Sequence, residues 1–327
     1  MPTTSSPPSI STLKNETVIP RRQPDHPDTL TVRWIESVEE LESLKQPWNR
    51  LAEKSLYTNA SFESNFLIPA MRHFGNSKVK VLVAEGPNSP LENDSKTIYG
   101  LMPLIQKSFF HLPIRCLEIW SHDQSFDHTP LLCRVHGGEA LEAMLDFIAK
   151  EKFGLLSLDT VSGEPEFQGL IDDLIQHPAR SRFQRDQFSR AAFRPVVPLE
   201  DYKKQFVSKS VKKNYGRLSR RLAELGDVQL KQSDAFSDCE QLTHQFLAME
   251  ASGWKVEAGT ALACQPATQE FYRELIQSAA TDGKARFLSL TLNDKPIAML
   301  SDLRSGQNIY SFKTAFDENC SPFLPGL

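Results

Sequence analysis

Four groups of side chains in this 327-residue sequence have types and spacings that suit chemistry. Residues 122–128, His-Asp-Gln-Ser-Phe-Asp-His, bring two imidazoles and two carboxylates into seven positions. They lack a helical ligand spacing such as HxxxH and no cysteine joins them, so no metal is expected there. Residues 202–223 carry eight basic side chains, Lys212 and Arg217 among them, and no acidic one. They form either a solvated face or an anion-binding face for a phosphorylated or acidic acceptor or an RNA backbone. Lys255 follows Trp254, and is either a holder of an anionic substrate group or an exposed lysine beside a packed indole. At Pro325-Gly326-Leu327 a proline follows a strand and can open a helix. Backbone N–H groups at such a helix start suit a phosphate. The sequence has no GxSxG elbow, no GxxxxGK[ST] loop and no GxGxxG turn.

These groups need elements to position them. Residues 286–292, 296–303 and 308–316 are three apolar runs separated by short polar turns, which predicts an antiparallel meander. In the last run Tyr310, Phe312, Thr314 and Phe316 alternate with Ile309, Ser311, Lys313 and Ala315, so Tyr310 and Lys313 are expected on opposite faces. Val207, Val211, Tyr215, Leu218, Leu222 and Leu225 step at helical spacing, and Gly226 suits the helix end. A further helix is expected at 271–280, with Phe246, Met249 and Trp254 on or beside another. Upstream, strands are expected at 31–35, 79–84, 97–106 and 115–121. A short buried strand is expected at 155–158, and a linking strand at 193–199. Helices are expected around Val38 to Leu51, after a Ser61 cap, and at 138–150 and 166–175. Pro69 is a potential kink. Residues 1–30 hold six prolines among Ser and Thr and are expected to be disordered.

Composition sets the class. Hydrophobic residues make up 40% and charged residues 24%, as in a globular protein of one or two domains. A net charge of −4 argues neither for nor against a polyanionic partner. Five cysteines without CxxC spacing fit reduced thiols. No run approaches membrane-span length and no signal pattern opens the chain, so a cytoplasmic location is expected.

A set of short words adds a resemblance. Gly253-Trp254-Lys255, Gly259-Thr260-Ala261-Leu262, Pro296-Ile297-Ala298, residues 313–318 (Lys-Thr-Ala-Phe-Asp-Glu) and Pro325-Gly326-Leu327 follow one another in order. Together they resemble the double-domain GNAT acyltransferases grouped with CelD-type cellulose-biosynthesis proteins, distant relatives of the Fem aminoacyl transferases. Leu324 departs from the family, which more often has Ser there.

The resemblance implies an α/β fold of two GNAT-like halves, 31–195 and 196–327, with mixed, mainly antiparallel sheets flanked by helices. It also implies that the second half is incomplete, with the chain stopping where cofactor phosphates would sit. The implied activity is transfer of an acyl group from acetyl-CoA or another acyl-CoA to an amine or hydroxyl of a small or saccharide-linked acceptor. Asp127, before Pro130-Leu131, matches a family carboxylate facing the cleft between halves, and is either a base or the centre of an Asx turn. Tyr310 is either a proton donor to the leaving thiolate or core filler. Lys255, Lys313, Lys212 and Arg217 are implied substrate contacts, and Gly326 and Leu327 cofactor contacts. The alternatives are aminoacyl transfer from tRNA, and a non-catalytic accessory role in exopolysaccharide synthesis.

Overall fold

The computed structural model describes residues 30–76, 78–86, 97–108, 114–194 and 196–326. All of the expected tail at 1–30 except Leu30, most of the polar loop at 86–96, and Leu327 lie outside the described residues.

The first sheet starts from β1 (Thr31–Ile35). Two helices follow, α1 (Val38–Ser43) and α2 (Lys45–Glu53), broken at Leu44. The third, α3 (Ser64–Phe74), is buried over its first eight residues. Its N-cap is Glu63 rather than Ser61, which sits buried in a 3-10 turn (Ala60–Phe62) capped by the Asn59 side chain. Pro69 lies inside α3, so the helix forgoes one N–H there. Next come β2 (Val79–Gly86), β3 (Thr97–Ser108), β4 (Arg115–Ile119), β5 (Leu131–Leu132), α4 (Gly137–Lys150), β6 (Leu155–Ser157) and α5 (Pro165–Leu174). The strand order is β1-β2-β3-β4-β6, with β5 paired to β3. The pairs are antiparallel except β4 with β6, which is parallel. As the end strand, β6 is not the buried strand expected, and Leu155 is 40% exposed.

The second sheet repeats that opening order. After α6 (Leu199–Phe206) and α7 (Lys209–Ala223), β7 (Val228–Ser233) is followed by three helices. These are α8 (Phe236–Glu250), α9 (Trp254–Glu257) and α10 (Pro266–Thr281). The expected meander completes it: β8 (Ala285–Leu292), β9 (Lys295–Ser305) and β10 (Asn308–Phe316). The order is β10-β9-β8-β7, antiparallel throughout. Asn293 and Asn293's neighbour Asp294 form the β8–β9 turn, both at positive φ, which hairpin turns favour. The protein is therefore α/β, with one mixed and one antiparallel sheet flanked by helices.

Several local expectations change. Residues 193–194 and 196–198 form no strand. Pro198 instead caps α6, and proline withholds the donor a ladder needs. The strand β7 escapes sequence reading because Gln229, Lys231 and Gln232 break any apolar run, and an end strand needs little apolar surface. The stripe on 207–225 is cut in two at Ser208, which caps α7 by accepting the Val211 N–H. Only Leu218 and Leu222 of that stripe are buried. Gly226 is two residues past the cap Glu224, where the Asn293 side chain leaves no room for a Cβ. Residues 325–326 form a turn after a 3-10 segment (Glu318–Phe323), not the helix start expected.

An aromatic seam joins the two sheets. Phe66 on α3 meets Phe271 of α10 at 5.3 Å and Phe312 of β10 at 5.8 Å between ring centroids. Glu63, 2% exposed, receives Lys284 Nζ at 2.5 Å and the Ser305 hydroxyl. His73 Nε2 lies 2.8 Å from Glu274. The β9–β10 turn presses on Thr58: Gly306 has φ +53, and a Cβ there would come 2.8 Å from the Thr58 methyl. Gly306→Ala should therefore lower stability by about 1–2 kcal/mol, the cost of a left-handed backbone for a residue with a Cβ. Urea unfolding of the two proteins checks it, and an unchanged midpoint would mean that the turn adapts.

Candidate functional site

Two polar constellations lie on opposite stretches of β10. The first sits at the junction of the sheets. Asp127 is 7% exposed, and its Oδ1 accepts the Thr129 N–H at 2.8 Å and the Thr129 hydroxyl at 2.7 Å. The first of these bonds closes an Asx turn. The Ser162 N–H donates to Thr129 Oγ1 at 2.7 Å, and the Asn59 amide to the Thr129 carbonyl at 2.7 Å. The Tyr57 hydroxyl lies beside Asp127 and Ser162. Burial pushes Asp127 above the usual carboxylate range, while bonds from Thr129 and Tyr57 act the other way.

Tyr310 reaches this junction from the second sheet. Its hydroxyl donates to the Thr58 carbonyl at 2.7 Å, and its ring packs on Phe126 at 5.1 Å. Burial raises the Tyr310 pKa, with the Asp127 charge also contributing. Tyr57 is raised by the same causes, burial first. Both phenols are thus neutral donors beside one buried carboxyl group. Asp127 and Tyr310, far apart in sequence, are brought together, and Tyr57 is the member that sequence reasoning missed. No spacing or periodicity marks it.

The histidines of 122–128 are held by protein groups. Burial, then the neighbouring His128, lowers His122 to about 3. Its ring packs among Phe66, Phe74, Trp120 and Phe271. His128 lies 2.8 Å from Ser125 Oγ and 3.1 Å from the Asp159 carbonyl. Among the described residues no three His, Cys, Asp or Glu are grouped so as to hold a metal.

The second constellation is a cleft of about 340 Å³ between β10, the end of α8 and α9. Lys255, Lys313 and Gly326 all line it. The opposite-face expectation for Tyr310 and Lys313 fails because the β9–β10 register shifts between Ser311 and Lys313. A bulge adds one residue to the strand, so the alternation resets past Phe312. Lys313 then turns toward Glu250 of α8, on the side where Phe312 packs against Tyr272 of α10. Lys255 is committed: its Nζ donates to Glu250 Oε1 and to the Thr314 carbonyl, each at 2.8 Å. Glu250 is 4% exposed, and its Oε2 accepts the Leu262 N–H at 2.9 Å. Its signal in the sequence was a charge on the stripe Cys239, Thr243, Phe246, Glu250, the face α8 buries. A carboxylate on a buried stripe needs a partner. A larger, shallow hollow on α1 and α2 lies apart from both constellations.

Lys212 and Arg217 join neither constellation. Both are exposed on α7, where Arg217 donates to Asn214 at 2.9 Å. Among the described residues no helix is long and apolar enough to cross a membrane.

Curated protein sequences yield no match. Among solved structures, the chain is similar to FemX at 11% identity, covering 86% of this chain and 81% of that one, with a TM-score of 0.49. A protein of unknown function from Bacteroides thetaiotaomicron VPI-5482 is 12% identical over 89% of this chain and 82% of that one, with a TM-score of 0.47. An aminoglycoside acetyltransferase from an uncultured soil metagenomic sample, solved with sisomicin, is 14% identical. It covers 50% of this chain and 97% of its own, with a TM-score of 0.30. Residues 209–327, from α7 onward, match the family described as acetyltransferase (GNAT) domain.

Proposed function

We propose that the protein transfers an acyl group from acyl-CoA, acetyl-CoA in the simplest case, to an amine or hydroxyl of a small or saccharide-linked acceptor. The observation that carries this reading is the cleft along β10, which lies wholly within or beside the stretch matched to the acetyltransferase family. The thioester would lie along β10 with Lys313 and Gly326 beside it. The acceptor would enter at the junction, within two units spanning 31–195 and 196–327. Tyr310 and Lys313 are three residues apart, about 10 Å along a strand. A base acts at about 3 Å or through one water. Asp127 would therefore serve an acceptor at the junction, beside the Tyr57 hydroxyl, rather than by touching the thioester cleft. The location proposed is cytoplasmic.

A specific feature favours a second reading. The exposed face of α7 carries Lys209, Lys212, Lys213, Arg217, Arg220 and Arg221, which suits an RNA backbone and hence an aminoacyl-tRNA donor. Incubation with acetyl-CoA and candidate amines should release free thiol. Tight tRNA binding with a steep salt slope, and no thiol release with any acceptor, would favour the second reading. In the first reading α7 contributes to acceptor binding by charge. Lys212→Glu combined with Arg217→Glu should raise the acceptor KM with the fold intact. An unchanged KM would leave the basic face a solvated one.

The buried carboxyl group sets a pH dependence. A base with a raised pKa becomes competent only as pH rises through that raised value, so the acid limb of the rate profile should lie above the ordinary carboxylate range. Asp127→Asn should abolish the limb and lower kcat by about 10²–10⁴-fold, the usual contribution of a general base. An acid limb retained in the variant would reduce Asp127 to its Asx turn.

A further inference from the structure

We infer that Lys313 is a site of self-acylation, its amine taking the acyl group of a thioester bound in the cleft when no acceptor is present. The inference rests on the acyl-CoA reading above. Two lysines line the cleft, and the structure treats them differently. Lys255 is fixed by Glu250 and the Thr314 carbonyl. Lys313 Nζ has no hydrogen bond or ion pair among the described residues, and its nearest aromatic face is its neighbour Phe312, 5.2 Å to the centroid. The carboxylates at the cleft are engaged elsewhere. Glu250 uses one oxygen for Lys255 and the other for the Leu262 N–H, and Glu318 Oε1 accepts the Trp254 N–H.

An amine in that position is prepared for nucleophilic attack. Burial lowers the Lys313 pKa, the Glu250 charge opposes the shift, and the Lys255 charge adds to it. Burial disfavours the ammonium form, so the neutral amine is populated at lower pH than on an exposed lysine. The neutral nitrogen lone pair attacks the thioester carbonyl, the carbon–sulfur bond breaks, and the sulfur leaves with the bonding pair. The nitrogen gives up one proton, which the departing sulfur takes up, and the products are an amide on Lys313 and a free thiol. No electron acceptor or donor is needed. An amide is a poor acyl donor, so this product is an end point. It removes one positive charge from the cleft and fills it with the acyl chain.

The test uses the full chain in two arms, read by mass spectrometry of proteolytic peptides. One arm supplies acetyl-CoA without acceptor, and the other supplies acetic anhydride, which reports amine reactivity without needing a thioester site. The exposed Lys209, Lys212 and Lys213 serve as internal references. In both arms Lys313 should be acetylated ahead of these lysines, with Lys255 last, and Lys313→Arg should lose the mark while keeping the charge. If anhydride labels Lys313 no faster than the references, the inference is overturned. If acetyl-CoA is consumed with an acceptor yet never marks Lys313, self-acylation is overturned while the acyl-CoA reading stands. If anhydride favours Lys313 but acetyl-CoA neither marks the chain nor acylates any acceptor, both are overturned.

Discussion

The two sheets are held together by a contact that neither could satisfy alone: the Phe66 ring and the Glu63 carboxylate at the start of α3. Phe66 is fully buried against side chains of α10 and β10. Emptying such an aromatic position costs about 3–5 kcal/mol. Glu63 is equally enclosed, and its partners Lys284 and Ser305 belong to the second sheet. A buried acidic group without partners is strongly destabilising, so Glu63 ties the first sheet's helices to the presence of the second sheet.

The strand β10 carries this constraint into the site. One stretch holds Tyr310 against Thr58 and Phe126, and the next holds Lys313 over the cleft. The bulge between them turns Lys313 inward where simple alternation would send it out. Bulges re-aim single side chains without disturbing the ladder beyond them, and Thr314 to Phe316 regain regular pairing with β9. The cleft wall is stiffened by the Glu250–Lys255 pair, which joins α8, α9 and the Thr314 carbonyl. Of the two lysines at the cleft, one is thus part of the wall and the other is left for chemistry.

Much of the fold was legible in the residues, for local reasons. The meander showed itself through β-branched and aliphatic runs and the Asn-Asp turn, and α4, α5 and α10 through helical spacing. The losses were also local in cause. The polar end strand β7 has no apolar run to reveal it, and proline-bearing residues around 193–198 imitate a strand without partners. Leu44 and Ser208 break periodic stripes that sequence spacing alone would continue. The site was legible in part: Asp127, Lys255, Lys313 and Tyr310 were visible as residue types, whereas Tyr57 and Glu250 acquire meaning only from what surrounds them.

The sequence by itself determined which segments pair or coil, because periodicity and turn chemistry act over a few residues. Its ordered short words also pointed to the acetyltransferase family matched over 209–327. Only the tertiary structure decided which groups share a site. Tyr310 comes to lie beside the Asp127 loop because the seam brings β10 of the second sheet onto Thr58 and Phe126 of the first part of the chain. Lys255 is tied down and Lys313 is not because the folded chain brings the Lys255 amine, and not the Lys313 amine, within hydrogen-bonding distance of Glu250 and the Thr314 carbonyl. Such outcomes depend on burial and on competition for hydrogen-bonding atoms between distant residues, and neither quantity exists until the chain has folded.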